Sequence, residues 1–187
     1  MSQKKHPIPP EILHCEVTAK SRLFTVEALQ LQFSNGEQRH YERIRGGGRG
    51  AVMIVPITAD NELLLVREYC AGTHNYQLGF PKGLIDLGET AIEAGNRELK
   101  EEVGFGAKQF SDLKTLSLAP SYFNAQMHIL VAKDLYPQKL EGDEPEPLVT
   151  VTWPVDKWQS LLSQSDFTEA RSVAALLLLQ QYLATEV

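Results

Sequence analysis

Cysteine is nearly missing from these 187 residues, with only Cys15 and Cys70 present. A pair so sparse cannot form a disulfide framework, which excludes the stapled secreted class and points to a reducing, cytoplasmic setting. Long apolar runs are missing as well. The longest, the Ala/Leu stretch ending at Leu179, falls far short of the roughly 20 residues a membrane helix needs, so no membrane partner is expected. The first ten residues carry lysines and prolines but no apolar core, so no secretory signal is expected there. Nor is there an excess of positive charge. With 18 Lys and Arg against 24 Asp and Glu the net charge is −6, which argues against a nucleic-acid partner. What remains is a chain with 43% hydrophobic residues, enough at this length for one domain with a core of its own.

Residues 1–12, rich in lysine and proline, read as a flexible tail. From residue 13 to 45 the pattern turns to strands. Leu29, Leu31 and Phe33 alternate with Gln30 and Gln32, and Asn35-Gly36 marks a tight turn before residues 39–44. This small antiparallel β unit ends at the glycine-rich breaker of residues 45–50, and residues 46–187 read as the main domain. The breaker lacks the Gly-Lys-Ser/Thr ending of a phosphate loop, and a strand rather than a helix follows it. Residues 51–57 and 62–69, separated by Thr58-Ala59-Asp60-Asn61, read as a buried hairpin. Residues 113–118, 128–132 and 148–153 are further strand candidates, and residues 167–183 a long Ala/Leu-rich helix. Mixed strands and helices of this kind fit an α/β or α+β sandwich.

The clearest helix spans residues 90–103. Thr90-x-x-Glu93 makes a capping box, and Gly104 stands where a left-handed cap belongs. With Glu98 at zero on a helical wheel, Glu102 falls at about 40° and Glu101 at about −60°. Ile92, Gly95, Leu99 and Val103 form an apolar stripe beside them. Arg97 lies within one turn of both Glu93 and Glu101. Carboxylates crowded on one face repel one another unless a cation neutralises them. Hard oxygen donors select Mg²⁺ or Mn²⁺, ions that take substrate phosphates as further ligands.

The full pattern is Gly83-x5-Glu89-x7-Arg97-Glu98-Leu99-x-Glu101-Glu102-x-Gly104-Phe105, which resembles the Nudix box at every constrained position. Its chance probability is on the order of 10⁻⁹ per start point. The resemblance implies a Nudix hydrolase: an α/β/α sandwich with a mixed sheet that cleaves a nucleoside diphosphate linked to another group. By the same resemblance Glu98 and Glu102 are the principal metal ligands, with Glu101 and the main-chain carbonyl of Lys82 completing the set. Arg97 holds the acidic cluster in register, Glu89 supports the loop or a further ion, and Gly83 and Gly104 are structural.

Outside the box, Pro120 stands fifteen residues after Phe105, a spacing similar to that in the ADP-ribose pyrophosphatase branch. The acidic loop Glu141-Gly-Asp-Glu144-Pro-Glu146-Pro resembles the branch's loop that carries a catalytic carboxylate. By the relatives' loop-to-proline spacing, counted back from Pro154, the resemblance implies Glu146 as catalytic base or extra ligand, with Glu144 second. Arg67 is a candidate for the substrate phosphates, and Tyr41, Arg43 and Arg45 for an adenine nucleotide. Gly79 stands where many of these relatives have glutamate. The branch implies ADP-ribose, NADH or diadenosine diphosphate as substrate, AMP as product, and a homodimer formed through the N-terminal β unit. Two other readings remain open here: a nucleoside triphosphate pyrophosphatase, and a module that senses ADP-ribose without cleaving it.

Overall fold

The computed structural model describes residues 7–185. They form two compact units, one of residues up to 48 with 117–125, the other of residues 49–116 with 126 onward.

The first unit is a three-stranded antiparallel sheet of β1 (Glu11–Lys20), β2 (Thr25–Gln32) and β3 (Gln38–Arg45), with β2 in the middle. Alternation on β2 places Glu27, Leu29 and Leu31 on its buried face. The Asn35-Gly36 turn closes the β2–β3 hairpin, with Gly36 donating to the Phe33 carbonyl. Residues 119–124 complete the unit: Ile44 N donates to the Tyr122 carbonyl at 2.7 Å, and Gly46 N donates to Asn124 Oδ1. Strand β1 is exposed along its whole length. It starts inside the segment expected to be tail, because Glu11 and Ile12 pair with Gln32 and Leu31. Residues 1–6 lie outside the described residues.

The second unit holds β4 (Ala51–Pro56), β5 (Glu62–Cys70), β6 (Asn75–Gly79), β7 (Lys82–Leu84), α1 (Ala91–Val103), β8 (Phe105–Leu118), β9 (Ala125–Pro137) and β10 (Val149–Pro154). A 3₁₀ turn (Val155–Lys157), α2 (Trp158–Leu162) and α3 (Ala170–Thr185) follow. Two sheets result, ordered β7-β4-β9-β8 and β10-β5-β6, the first mixed because β4 and β9 run parallel. The hairpin expected from residues 51–57 and 62–69 is not one. Both edges of β4 are taken, by β7 and β9, so β5 pairs with this segment at the isolated bridge of Ile57, just past β4, with Leu63, and joins the other sheet. Strands β6 and β7, of five and three residues, were not expected; both are too short to show a period of their own.

Helix α1 begins as expected. Thr90 accepts from Glu93 N and Glu93 returns the bond to Thr90 N, while Gly104 closes the other end at φ +79°. Its buried side is Ala94, Gly95, Leu99 and Val103, together with Glu102. Ile92, expected in the apolar stripe, is exposed. Leu99 and Val103 pack with Val52, Ile54, Leu64, Val66 and Leu130, so the helix is seated on β4, β5 and β9. Burying a side chain such as Leu99 contributes about 1.5–3 kcal/mol. The last helix starts at Ala170, later than expected, because the Glu169 carboxylate accepts from the Arg171 and Ser172 amides and caps it there.

Candidate active site

The box residues converge around the exposed end of α1, and Arg97 is their hub. Its Nε and Nη2 clasp Glu89 at 2.9 and 3.0 Å, its Nη1 reaches Glu98 at 2.7 Å and Glu101 at 3.0 Å, and Nη2 also donates to the Leu84 carbonyl. These partners drive the Arg97 pKa further up, and the Glu89 carboxyl is held below its ordinary range by the guanidinium. Arg97 takes Glu89 where the spacing suggested Glu93, because the Glu93 carboxylate is already engaged at the helix cap by Thr90 N and Oγ1. Glu89 also accepts from Asp86 N, which folds the loop back on the helix.

Glu98 leans on Gly83. A Cβ placed at that glycine would lie 1.9–2.4 Å from the Glu98 carboxylate atoms, so the cradle exists only for glycine. Burial raises the Glu98 pKa, Arg97 opposes the shift, and the charges of Glu101 and Glu144 add to it. Glu102 is buried, 5% exposed, and its carboxylate accepts from Lys82 N at 3.3 Å. Burial pushes its pKa up to about 9; Lys82 opposes this, while Glu98, Glu68 and Glu144 reinforce it. Lys82 Nζ itself pairs with Glu68.

Buried carboxylates that resist ionisation, with further carboxylates beside them, form a site suited to a divalent cation. Their hard oxygens and the glycine cradle fit Mg²⁺ or Mn²⁺ chemistry. Among the described residues no three acidic, His or Cys side chains are yet drawn to ligand spacing; Arg97 holds Glu98 and Glu101, and Lys82 N holds Glu102.

The acidic loop of residues 141–148 follows three residues that bond to the C-terminal turn of this helix. Leu140 N donates to the Lys100 carbonyl at 3.2 Å, Gln138 N to the Gly104 carbonyl at 2.9 Å, and Lys139 Nζ to the Glu101 carbonyl. Of the two loop candidates, Glu144 lays its Oε2 against Gly142, which in turn lies next to the Glu101 Cβ, and its charge adds to the upward pKa shifts of Glu98 and Glu102. Glu146, the residue favoured by spacing, is exposed and accepts a hydrogen bond from Tyr76 Oη. The two differ in their neighbours: Glu146 is taken by Tyr76 and Glu144 lies over Gly142, contacts that the linear sequence does not state.

Arg67 lies on β5 with its Nε on Asp166 Oδ2 at 2.9 Å. Gly79 leaves room for Ser172, whose Oγ would lie 2.9 Å from an added Cβ and accepts from Phe80 N. The remaining candidates belong to the first unit. Tyr41 and Pro120 line one concavity there with Leu29, Leu31, Arg43 and Tyr122. Arg45 and Arg43 both bind the buried Glu27, at 3.1 and 2.9 Å.

Residues 48–180 match the NUDIX domain, and residues 10–43 match the NudE-type Nudix hydrolase N-terminal domain. The chain is 60% identical to ADP compounds hydrolase NudE of Escherichia coli over 174 residues, 93% of each chain. It is 22% identical to an ADP-ribose pyrophosphatase of Bacillus subtilis over 87% of this chain and 90% of that one. A crystal structure of ADP compounds hydrolase superposes with a TM-score of 0.92 at 58% identity, covering 97% of this chain and 98% of the other. With its α/β sandwich, its complete box on α1 and these likenesses, the chain belongs to the Nudix hydrolase family.

Proposed function

We propose that this protein hydrolyses the pyrophosphate bond of ADP-linked compounds, among them ADP-ribose, NADH and diadenosine diphosphate, to AMP and a phosphorylated remainder. The observation that carries the reading is the carboxylate ridge of α1, with Glu98 and Glu101 gathered on Arg97 and the buried Glu102 on Lys82 N. Glu98 and Glu102 would hold a divalent ion, Mg²⁺ or Mn²⁺, with Glu101 and the Lys82 carbonyl as further donors. When bound, such an ion supplies charge neutralisation at the pyrophosphate and a water of lowered pKa. Arg97 keeps Glu98 and Glu101 aligned. Glu144, ahead of Glu146, would accept the proton of the attacking water, because its carboxylate lies over Gly142 next to the Glu101 Cβ. Arg67 offers a guanidinium to the phosphates, in exchange for Asp166. Tyr41, Arg45 and Pro120 border the nucleotide's place in the first unit.

We infer a homodimer built through the N-terminal unit, residues 13–45, with residues 46–187 as the hydrolase domain. Exposed Ile12, Leu13 and Val17 on β1 are the surface a second copy would cover. Two free cysteines fit a cytoplasmic setting. No helix among the described residues is long and apolar enough to cross a membrane.

The test is product analysis with ADP-ribose, NADH, diadenosine diphosphate and nucleoside triphosphates, with Mg²⁺ and with chelator. Metal-dependent AMP release from the ADP compounds supports the reading. Preference for triphosphates, or binding of ADP-ribose without cleavage, overturns it.

A further inference from the structure

We propose that the Tyr76 hydroxyl is a latch that sets the acidic loop against α1, making Tyr76 a positioning residue that acts through Glu144. The inference rests on the role given to Glu144 above. The loop is anchored on one side by the backbone bonds of Gln138 and Leu140 to the end of α1, and on the other by β10, whose first pair is Val149 with Arg67. Residues 141–148 between these anchors have no strand or helix to hold them. Tyr76 Oη donates to Glu146 Oε1 in the middle of that gap.

The donor is itself fixed. Tyr76 pairs across β5–β6 with Tyr69, their ring centroids 5.8 Å apart, and Tyr69 Oη is bonded to His74 Nδ1 at 2.8 Å. An aromatic hairpin end of this kind is a firm post for a mobile partner. Glu146 and Glu144 are separated only by Pro145, and Pro147 follows. Each proline fixes its own φ and restricts the residue before it, so Glu144 and Glu146 both sit ahead of a constrained bond. Holding Glu146 therefore holds the backbone of Glu144, and with it the place of the Glu144 carboxylate over Gly142, next to the Glu101 Cβ. A phenol donating to a carboxylate is a charge-assisted bond, stronger than its neutral counterpart.

The experiment measures ADP-ribose hydrolysis at saturating Mg²⁺ for Tyr76→Phe, Glu146→Ala and the double variant, and repeats Tyr76→Phe in a Glu144→Gln background. Both single variants should lower kcat about tenfold, the worth of one such bond, with KM within about twofold. The double variant should fall no further than either single one, and Tyr76→Phe should change nothing once Glu144 is glutamine. Full kcat in Tyr76→Phe overturns the proposal, as does an equal fall in the Glu144→Gln background, which would mean a direct substrate contact. A Glu146→Ala loss far deeper than that of Tyr76→Phe also overturns it, by making Glu146 the base. Should Tyr76→Phe fail to fold, Glu146→Ala on the exposed loop reads the same bond. An inactive wild-type protein would instead overturn the proposed function beneath it.

Discussion

Gly83 and Glu98 limit each other. With a Cβ only 1.9–2.4 Å from the carboxylate, Gly83→Ala leaves the backbone unstrained but forces Glu98 to swing away. Because that carboxylate is the free end of a side chain, the stability change should be small, while turnover falls by about two orders of magnitude through misplacement alone. Melting temperature and kcat measured on the same preparation separate the two effects. Glu98→Gln tests the charge without moving volume. It should keep the fold and reduce turnover by about three orders of magnitude, as expected for losing a ligand charge at the transition state. An active Glu98→Gln enzyme would remove Glu98 from the metal-binding role.

At the scale of elements, the β2–β3 pair carries a titratable clasp. Arg43 bonds to Glu27 and holds its carboxyl below the ordinary range, with burial opposing and the charges of Arg43 and Arg45 assisting. A carboxyl depressed in the folded state stabilises above its unfolded pKa, and that contribution is lost as pH falls through the folded value. The stability difference between wild type and Glu27→Gln should therefore be full at neutral pH and shrink below about pH 4. Denaturant titrations at several pH values check this; a constant difference would contradict it. The helix carrying the box was legible because a period of 3.6, a capping box and Gly104 all mark the same segment. Strand partners were not legible: nothing local in residues 51–57 reports that β7 and β9 occupy both edges of β4. Nor does anything local in residues 141–148 report that the Tyr76 hydroxyl takes Glu146.

For the molecule as a whole, the segment 117–125 returns to the N-terminal unit, a pairing no linear boundary at residue 45 foretells. The exposed strand β1 has both an apolar face and an open edge, a combination that invites association. Val17→Lys combined with Ile12→Lys should shift the protein from dimer to monomer in sedimentation velocity, while the circular dichroism of the hydrolase unit stays unchanged. A wild-type monomer at micromolar concentration would remove the dimer from the account.

The fork of Glu89, Glu98, Glu101 and the Leu84 carbonyl around Arg97 outlines a planar, five-hydrogen guest. Once Arg97→Ala empties that outline, a soluble molecule of the same shape can enter it. Millimolar guanidinium should restore a share of the lost activity, and methylammonium, a point charge without the plane, should restore far less. The box would then behave as a receptor for a small cation that ordinarily arrives tethered to the chain.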